Sequence, residues 1–248
     1  MKKALLIGIN YSNEPLKKLL GCINDISKIN AKIQQLYNDN PVNIKIITDE
    51  DGISASRNNI LKYIEWLYSD LQPGDTVYLH YSGHGENDFM KNGYDFRMLT
   101  IDGKKIEYIT HNELRKYLVD RIPTGCKCFV VFDCCHCGNS FDLRYNYDIS
   151  GNITTFEQHL ESDRLVVFLG ACLNNQIAED RYGNKRLLQR GGTLTNEFIN
   201  VLNKHGKNVK LKTVFEEIIG GLKKWLYEQT TQIYSSKPIN IEEFMIFE

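Results

Sequence analysis

One stretch constrains the fold of this chain more than any other: Phe129–Ser140, reading FVVFDCCHCGNS. Four apolar residues, Phe129, Val130, Val131 and Phe132, run without a polar interruption and then stop at an acid, two cysteines, a histidine, a third cysteine and a glycine. A continuous apolar run of this kind fits a strand buried on both faces of a parallel-type sheet. In open α/β sheets, ligands and reacting groups sit at the carboxyl ends of such strands. Side chains alternate along a strand, so Asp133 and Cys135 are expected to share a face while Cys134 turns to the other. Cys135 is therefore the candidate nucleophile and Cys134 a packing residue.

A thiol nucleophile needs activation, because the thiolate is the attacking species and a free cysteine titrates near pH ~8.5. The chain has six histidines. His84 stands out because it follows a second buried-strand pattern, VYLHYSGHGEN at Val77–Asn87. Gly83 and Gly85 flank it, allowing a sharp turn and keeping Cβ bulk away from the imidazole. Two adjacent strand ends would deliver Cys135 and His84 into one cleft.

Composition narrows the class. A chain of 248 residues is ample for a buried core. The net charge of −1 argues against a broad basic surface for nucleic acid. The first apolar run, Ala4–Ile9, is too short for a signal segment, and no stretch reaches the ~20 apolar residues of a membrane span. Seven cysteines, four of them crowded into Cys128–Cys137, suit free thiols in a reducing compartment. A cytoplasmic monomer without nucleic-acid or membrane partners is expected.

In chain order, the pattern predicts strands at Ala4–Ile9, Asn43–Thr48, Thr76–Tyr81, Phe96–Ile101, Phe129–Phe132, Leu165–Gly170 and Phe244–Phe247. Helices are predicted at Asp25–Tyr37, Ser54–Ser69, Asn112–Val119, Leu194–Leu202 and Leu211–Leu226. Ser140–Asp163 reads as a mostly irregular surface segment, and 174–192 as a polar, basic loop. Alternating strands and helices give an α/β fold, a three-layer α/β/α sandwich with a mostly parallel central sheet.

The two motifs, YSGHG at Tyr81–Gly85 and DCCHCG at Asp133–Gly138, resemble those of the metacaspases, in the caspase-like clan of cysteine peptidases. The likeness extends through KKALLIGINY (Lys2–Tyr11), GCINDI (Gly21–Ile26), YDFRMLTIDG (Tyr94–Gly103) and SSKPINI (Ser235–Ile241). Cys134 and Cys137 stand where the family usually has serine. His84 lies 51 residues before Cys135, close to the ~50-residue separation in caspases. The resemblance implies one caspase-like domain over 1–248, with a large-subunit-like part at 1–163 and a small-subunit-like part at 164–248. It implies a Cys135/His84 dyad, an oxyanion hole from the Gly85 and Cys135 amides, and no long N-terminal prodomain.

The resemblance also implies an acidic specificity pocket made by Cys22, Asp25, Ser82 and Asp133. Two carboxylates in a partly desolvated pocket attract a guanidinium or ammonium group, so the expected substrates are proteins or peptides cleaved after Arg or Lys. Read from position alone, Asp25 is equally a helix N-terminal acid favoured by the macrodipole. Metacaspases of the common kind use calcium, and here Asp95 and Asp142 match two of the ligand positions. The paired acids between them fall on His111 and Asn112, which predicts weak calcium dependence or none. Glu113 is a partial substitute, and Asn112 is alternatively a helix cap.

Other readings stand beside these. The clustered Cys126, Cys128, Cys134, Cys135, His136 and Cys137 suggest zinc or redox chemistry, although the spacing is not that of a usual knuckle. His136 reads as a structural neighbour of the nucleophile, Cys172 as buried packing, and Asp180 as a pocket-rim acid. The loop Arg181–Arg190 offers Arg and Lys for self-cleavage. The leading expectation is a cysteine endopeptidase; the alternative is a catalytically silent binding or regulatory module of the same fold.

Overall fold

The computed structural model describes residues 1–88, 95–178, 191–224 and 229–248. In chain order its elements are β1 (Lys3–Gly8), α1 (Cys22–Leu36), β2 (Asn43–Thr48), β3 (Ile53–Ser54), α2 (Arg57–Tyr68), β4 (Thr76–Ser82) and β5 (Gly85–Asn87). They continue as β6 (Phe96–Asp102), β7 (Lys105–Thr110), α3 (His111–Leu114), β8 (Lys127–Asp133), β9 (Tyr145–Tyr147) and β10 (Ile153–Thr155). The last are β11 (Leu165–Gly170), α4 (Thr193–His205), α5 (Leu211–Lys224) and β12 (Gln232–Ser235).

The apolar runs become the middle of a nine-stranded sheet of order β10-β9-β12-β11-β8-β4-β1-β2-β3. From β11 to β3 the strands are parallel; β12, β9 and β10 add antiparallel pairing at one side. Every residue of β1 and β4 is buried, as two-sided coverage requires. α1, α4 and α5 pack in one group, and α2 packs with the helical turn Arg115–Val119 that continues α3 in π-type winding. This is a caspase-like layered α/β fold. A small antiparallel sheet, β5-β6-β7, stands beside the main one. Among the described residues no helix is long and apolar enough to cross a membrane.

Several expectations are corrected. Ser140–Asp163 contains β9 and β10, and Phe141, Leu143, Tyr145 and Tyr147 are buried. Phe141 belongs to the core: its ring lies 5.1 Å from Phe132 and 5.2 Å from Phe168. Sparse apolar residues among Asn and Asp hid this segment. Phe244–Phe247 forms no strand; its backbone makes one isolated bridge, Met245 to Lys210, while Ile246 and Phe247 fill the core. Strands β3, β5, β7 and β12 also went unpredicted, β5 in what reads as a polar loop. β12 is only four residues long, and its pairing with β11 and β9 is set by tertiary contact. The helix expected at Asn112 starts at His111 and is capped by Thr110, which forms a capping box with Glu113.

Register positions the site. Gly8 pairs with Ser82, and Ser82 pairs with Asp133, so β1, β4 and β8 end level with one another. Two residues past Ser82 comes His84; two past Asp133 comes Cys135. β8 itself stops at Asp133, so Cys134 and Cys135 lie in the following turn. α1 begins at the same rim, its first amides held by Asn10 Oδ1 (3.1 Å to Cys22 N, 3.4 Å to Ile23 N) because Gly21 has no side chain to cap with. The chain leaves β1 toward β2 on one side, while β4 lies on the other. Such a switch point is where open α/β sheets form their clefts.

Candidate active site

A cavity of about 260 Å³ opens at this rim, with Cys22, Ser82, His84, Asp133, Cys135 and Gly192 in its walls. The structure thus brings together five of the residues singled out in the sequence, from two strand ends and a helix start.

His84 is held from two directions. Its Nε2 lies 2.7 Å from the Lys17 carbonyl oxygen, which can only accept, so Nε2 carries the proton and Nδ1 keeps its lone pair in the neutral ring. Its backbone N–H donates to the Tyr11 hydroxyl at 3.1 Å, and the Tyr11 ring packs 4.8 Å from the imidazole. Burial is the main influence on the imidazole and lowers its pKa, favouring the neutral ring.

Cys135 is half-buried, with Sγ 3.9 Å from the Ala178 carbonyl oxygen. Burial raises its pKa and keeps the thiol protonated. Among the described residues no hydrogen bond joins Cys135 to His84. Gly85 packs against the backbone of Cys135: a Cβ there would lie 2.1 Å from the Cys135 carbonyl oxygen, so only glycine fits. Cys134 behaves as packing, buried and pushed up to about 11 by that burial. Cys137 and Cys172 touch behind it, with Cys172 N 3.4 Å from Cys137 Sγ. His136 takes a positive φ of 56° and anchors the turn through Nδ1 to the Asn174 carbonyl at 2.9 Å.

The acidic residues sit deeper. Asp25 is fully buried behind Ser82 and Gly192 rather than in the cavity wall. Its Oδ2 accepts from Ser82 Oγ at 2.8 Å and from Gly192 N at 2.9 Å, while among the described residues Oδ1 has no hydrogen-bond partner. Burial, and then the nearby Asp133 charge, hold the Asp25 carboxyl well above the usual carboxylate range. Asp133 Oδ2 accepts from Thr195 N at 2.8 Å and from Thr195 Oγ1 at 2.7 Å, which caps the start of α4. Behind Thr195 lies His80, its Nε2 3.1 Å from Thr195 Oγ1 and its Nδ1 2.7 Å from the Tyr78 hydroxyl. Thr195 donates to Asp133, so it accepts from His80, and Tyr78 donates to His80. Burial lowers the pKa of this imidazole to about 3, which keeps it neutral.

Sequence reasoning missed Lys17, Tyr11, His80, Thr195 and the pair Gly191–Gly192. The Lys17 contribution is a backbone carbonyl and leaves no mark in residue type. The glycine pair did carry a signal. A Cβ at Gly191 would lie 2.2 Å from Asp25 Oδ1, and one at Gly192 2.1 Å from Asp133 Oδ2. Only a chain without side chains can pass this close to both acids. Asp180 and the stretch Arg181–Arg190 lie outside the described residues.

Asp95 and Asp142 do come together, with a histidine between them. His111 Nδ1 lies 3.4 Å from Asp95 Oδ1 without hydrogen-bond geometry, and His111 Nε2 lies 3.7 Å from Asp142 Oδ2, a close contact beyond hydrogen-bond length. Glu113, expected as a substitute acid, is engaged elsewhere, by Thr110 and by an ion pair with Arg57. Asn112 is exposed and does not cap the helix.

A family model described as "Metacaspase, peptidase C14 domain" matches residues 2–144, more than half of the chain. Metacaspase-1 of Schizosaccharomyces pombe is 36% identical over 159 residues, covering 60% of this chain and 37% of that protein. Metacaspase-3 of Trypanosoma brucei brucei is 28% identical over an alignment of 263 residues, covering 97% of this chain and 72% of that protein. The match thus spans little more than a third of the yeast relative. Among solved structures, caspase-1 from Spodoptera frugiperda superposes with a TM-score of 0.60 at 13% identity, over 94% of this chain and 85% of that one. A protein from Geobacter sulfurreducens superposes with a TM-score of 0.68 at 19% identity, over 96% of this chain and 94% of that one. At these identities the likeness is one of fold.

Proposed function

The chain belongs to the metacaspase peptidase C14 family, and from that premise we infer that it is a cysteine endopeptidase cleaving after Arg or Lys. Cys135 is the nucleophile and His84 Nδ1 the base that takes its proton. Lys17, through its carbonyl oxygen, fixes the ring orientation and the tautomer. Burial favours the neutral form of both partners, so the thiol loses its proton as it attacks the scissile carbonyl, with no ion pair standing beforehand. The same proton then goes from His84 to the leaving amine. The Gly85 and Cys135 amides receive the oxyanion, a role supported by the contact between their backbones.

The observation that carries the specificity is Asp25 Oδ1, a buried carboxylate oxygen with no hydrogen-bond partner among the described residues, beside a second acid. Buried polar groups are nearly always satisfied, and an unsatisfied one costs roughly 1–3 kcal/mol. A substrate guanidinium or ammonium supplies the missing donors and the missing charge. Reaching Asp25 requires Gly191–Gly192 to yield, which a pair without side chains does easily.

The test is hydrolysis of short fluorogenic peptides ending in Arg, Lys or Asp, alongside Cys135→Ala and Cys134→Ala. Cleavage after Arg and Lys, lost in the first variant and kept in the second, is expected. Cleavage after Asp would discard the pocket assignment. The absence of a Cys135–His84 hydrogen bond favours a second reading, a catalytically silent module. That reading predicts that an Arg-bearing acyloxymethyl ketone leaves Cys135 unlabelled.

A further inference from the structure

We propose that His111 ties Asp95 to Asp142 in place of a bound divalent cation, and so positions the loop that carries Cys135.

The donor set at these two acids does not fit calcium. That ion takes six to eight hard oxygens at about 2.3–2.6 Å, and an imidazole ring stands between the two carboxylates instead. The surroundings are basic as well. Arg97 Nη2 lies 3.4 Å from Asp95 Oδ2 and also pairs with Asp88. His159 Nδ1 lies 3.9 Å from Asp142 Oδ1, and Arg115 Nη1 donates to the Asp142 carbonyl at 2.5 Å. Among the described residues, no group of three or more Cys, His, Asp or Glu side chains is arranged to hold a metal ion.

The tie reaches the nucleophile through a short, stiff segment. Asp142 takes a positive φ of 49° and follows Phe141, which is fully buried. Asn139 clamps the turn on both sides of Asp142, donating through Nδ2 to the Leu143 carbonyl at 2.7 Å and accepting from Leu143 N at 2.8 Å. Ser140 Oγ bonds the Cys137 carbonyl. Fastening Asp142 from outside therefore fixes residues 137–143 as one body, two residues beyond Cys135. At its other nitrogen His111 faces Asp95, where β6 begins; β6 pairs with β5, which carries Gly85. One imidazole thus links the two segments that flank the nucleophile. Because His111 touches no substrate atom, it is a positioning residue.

The kinetic half of this inference rests on the peptidase reading, so the test includes measurements that do not need activity. Calorimetry on the wild-type protein should find no calcium binding at millimolar concentration. Chelator and calcium should leave its melting temperature and its kcat unchanged. His111→Ala should lower the melting temperature and reduce kcat about 10- to 100-fold with little change in KM, the pattern of a displaced reacting group. His111→Asp adds a third carboxylate where the ring stood. It should bind calcium at millimolar concentration or better, and the added ion should recover stability and part of the lost kcat. Wild-type protein that binds calcium and gains activity from it would overturn the proposal. So would a His111→Ala variant with unchanged kcat and melting temperature, or a His111→Asp variant indifferent to calcium. If no wild-type peptidase activity exists but the binding and melting results hold, the tie stands and the catalytic reading falls.

Discussion

Two pairs of carboxylates lie close together in this molecule, and the protein sets an imidazole between the members of only one of them. Asp95 and Asp142 have His111 between them, with Arg97 and Arg115 close by. Asp25 and Asp133 have the neutral donors Ser82, Gly192 and Thr195, with Lys28 acting on Asp25 only as a weaker charge, and among the described residues Asp25 Oδ1 accepts no hydrogen bond. The first pair encloses the imidazole at 3.4 and 3.7 Å, in close contact rather than through hydrogen bonds. The second is held in an unfavourable state, with burial and like charge raising the Asp25 pKa. On the specificity proposed above, a site left incomplete in this way keeps its affinity for a cation brought from outside. Two acids in proximity therefore say little about function until their donors are known.

The largest effect expected from breaking the contrast is at Asp25. Asp25→Asn should lower kcat/KM for Arg peptides by about 10²–10³-fold, since truncating one partner of a buried charged contact costs roughly 2–5 kcal/mol. The same variant should be the more stable protein. A raised folded-state pKa means that the folded chain binds the proton more tightly than the unfolded one. Stability therefore falls as pH rises from the ordinary carboxylate range through the raised pKa. Asparagine removes that loss, so thermal melting at neutral pH should shift up by a few degrees, about 1 kcal/mol being worth ~2–4 °C in a chain of this size.

Gly192→Ala comes next. Its Cβ would meet the Asp133 carboxylate, and KM for Arg and Lys peptides should rise by about 10-fold or more, the order expected for ~1.4 kcal/mol of lost binding. Steady-state kinetics on matched Arg and citrulline peptides would check it.

A milder way to sharpen the contrast is pH. Binding a cation requires Asp25 ionised, so KM for an Arg peptide should fall as pH rises through the raised Asp25 pKa. KM for the neutral citrulline peptide should stay flat. A parallel response of the two would remove Asp25 from the pocket.

The smallest effect lies behind the pocket. Thr195→Val breaks the chain from His80 to Asp133 and should raise KM a few-fold, consistent with the loss of about 1 kcal/mol from one hydrogen bond. His80 also predicts acid sensitivity. Its folded-state pKa of about 3 lies below the ordinary 6.5, so the stability of the neutral, buried ring is fully present above pH 6.5 and is lost as pH falls toward 3. Melting temperatures from pH 7 to pH 4 should decline less steeply in His80→Gln than in the wild type.

Much of the fold is legible from residue order because two-sided burial forces continuous apolar runs. β2 and β11 lie where the pattern predicts them, and β1, β4 and β8 differ from it by a few residues at their ends. β12 and the segment around Phe141 escaped, since a four-residue strand and scattered aromatics acquire meaning only from what they pack against. At the site, the glycine-flanked His84 and the Asp133-Cys134-Cys135 break were readable as chemistry placed at strand ends. The Lys17 carbonyl was not, because every residue carries a carbonyl.

The sequence by itself determined which side chains could react, that they would sit at strand ends, and that acids would gather beside them. Alternation of buried and polar residues and the backbone rules of glycine act locally, so these features follow from neighbouring residues alone. Only the tertiary structure decided the state of those groups: which nitrogen of His84 is free, which acid of the pocket lacks a partner, and that His111 fills the gap between Asp95 and Asp142. Protonation and pairing depend on solvent exclusion and on donors far along the chain, such as Gly192 N, 167 residues from the Asp25 carboxylate it meets. Those distances exist only once the chain has folded.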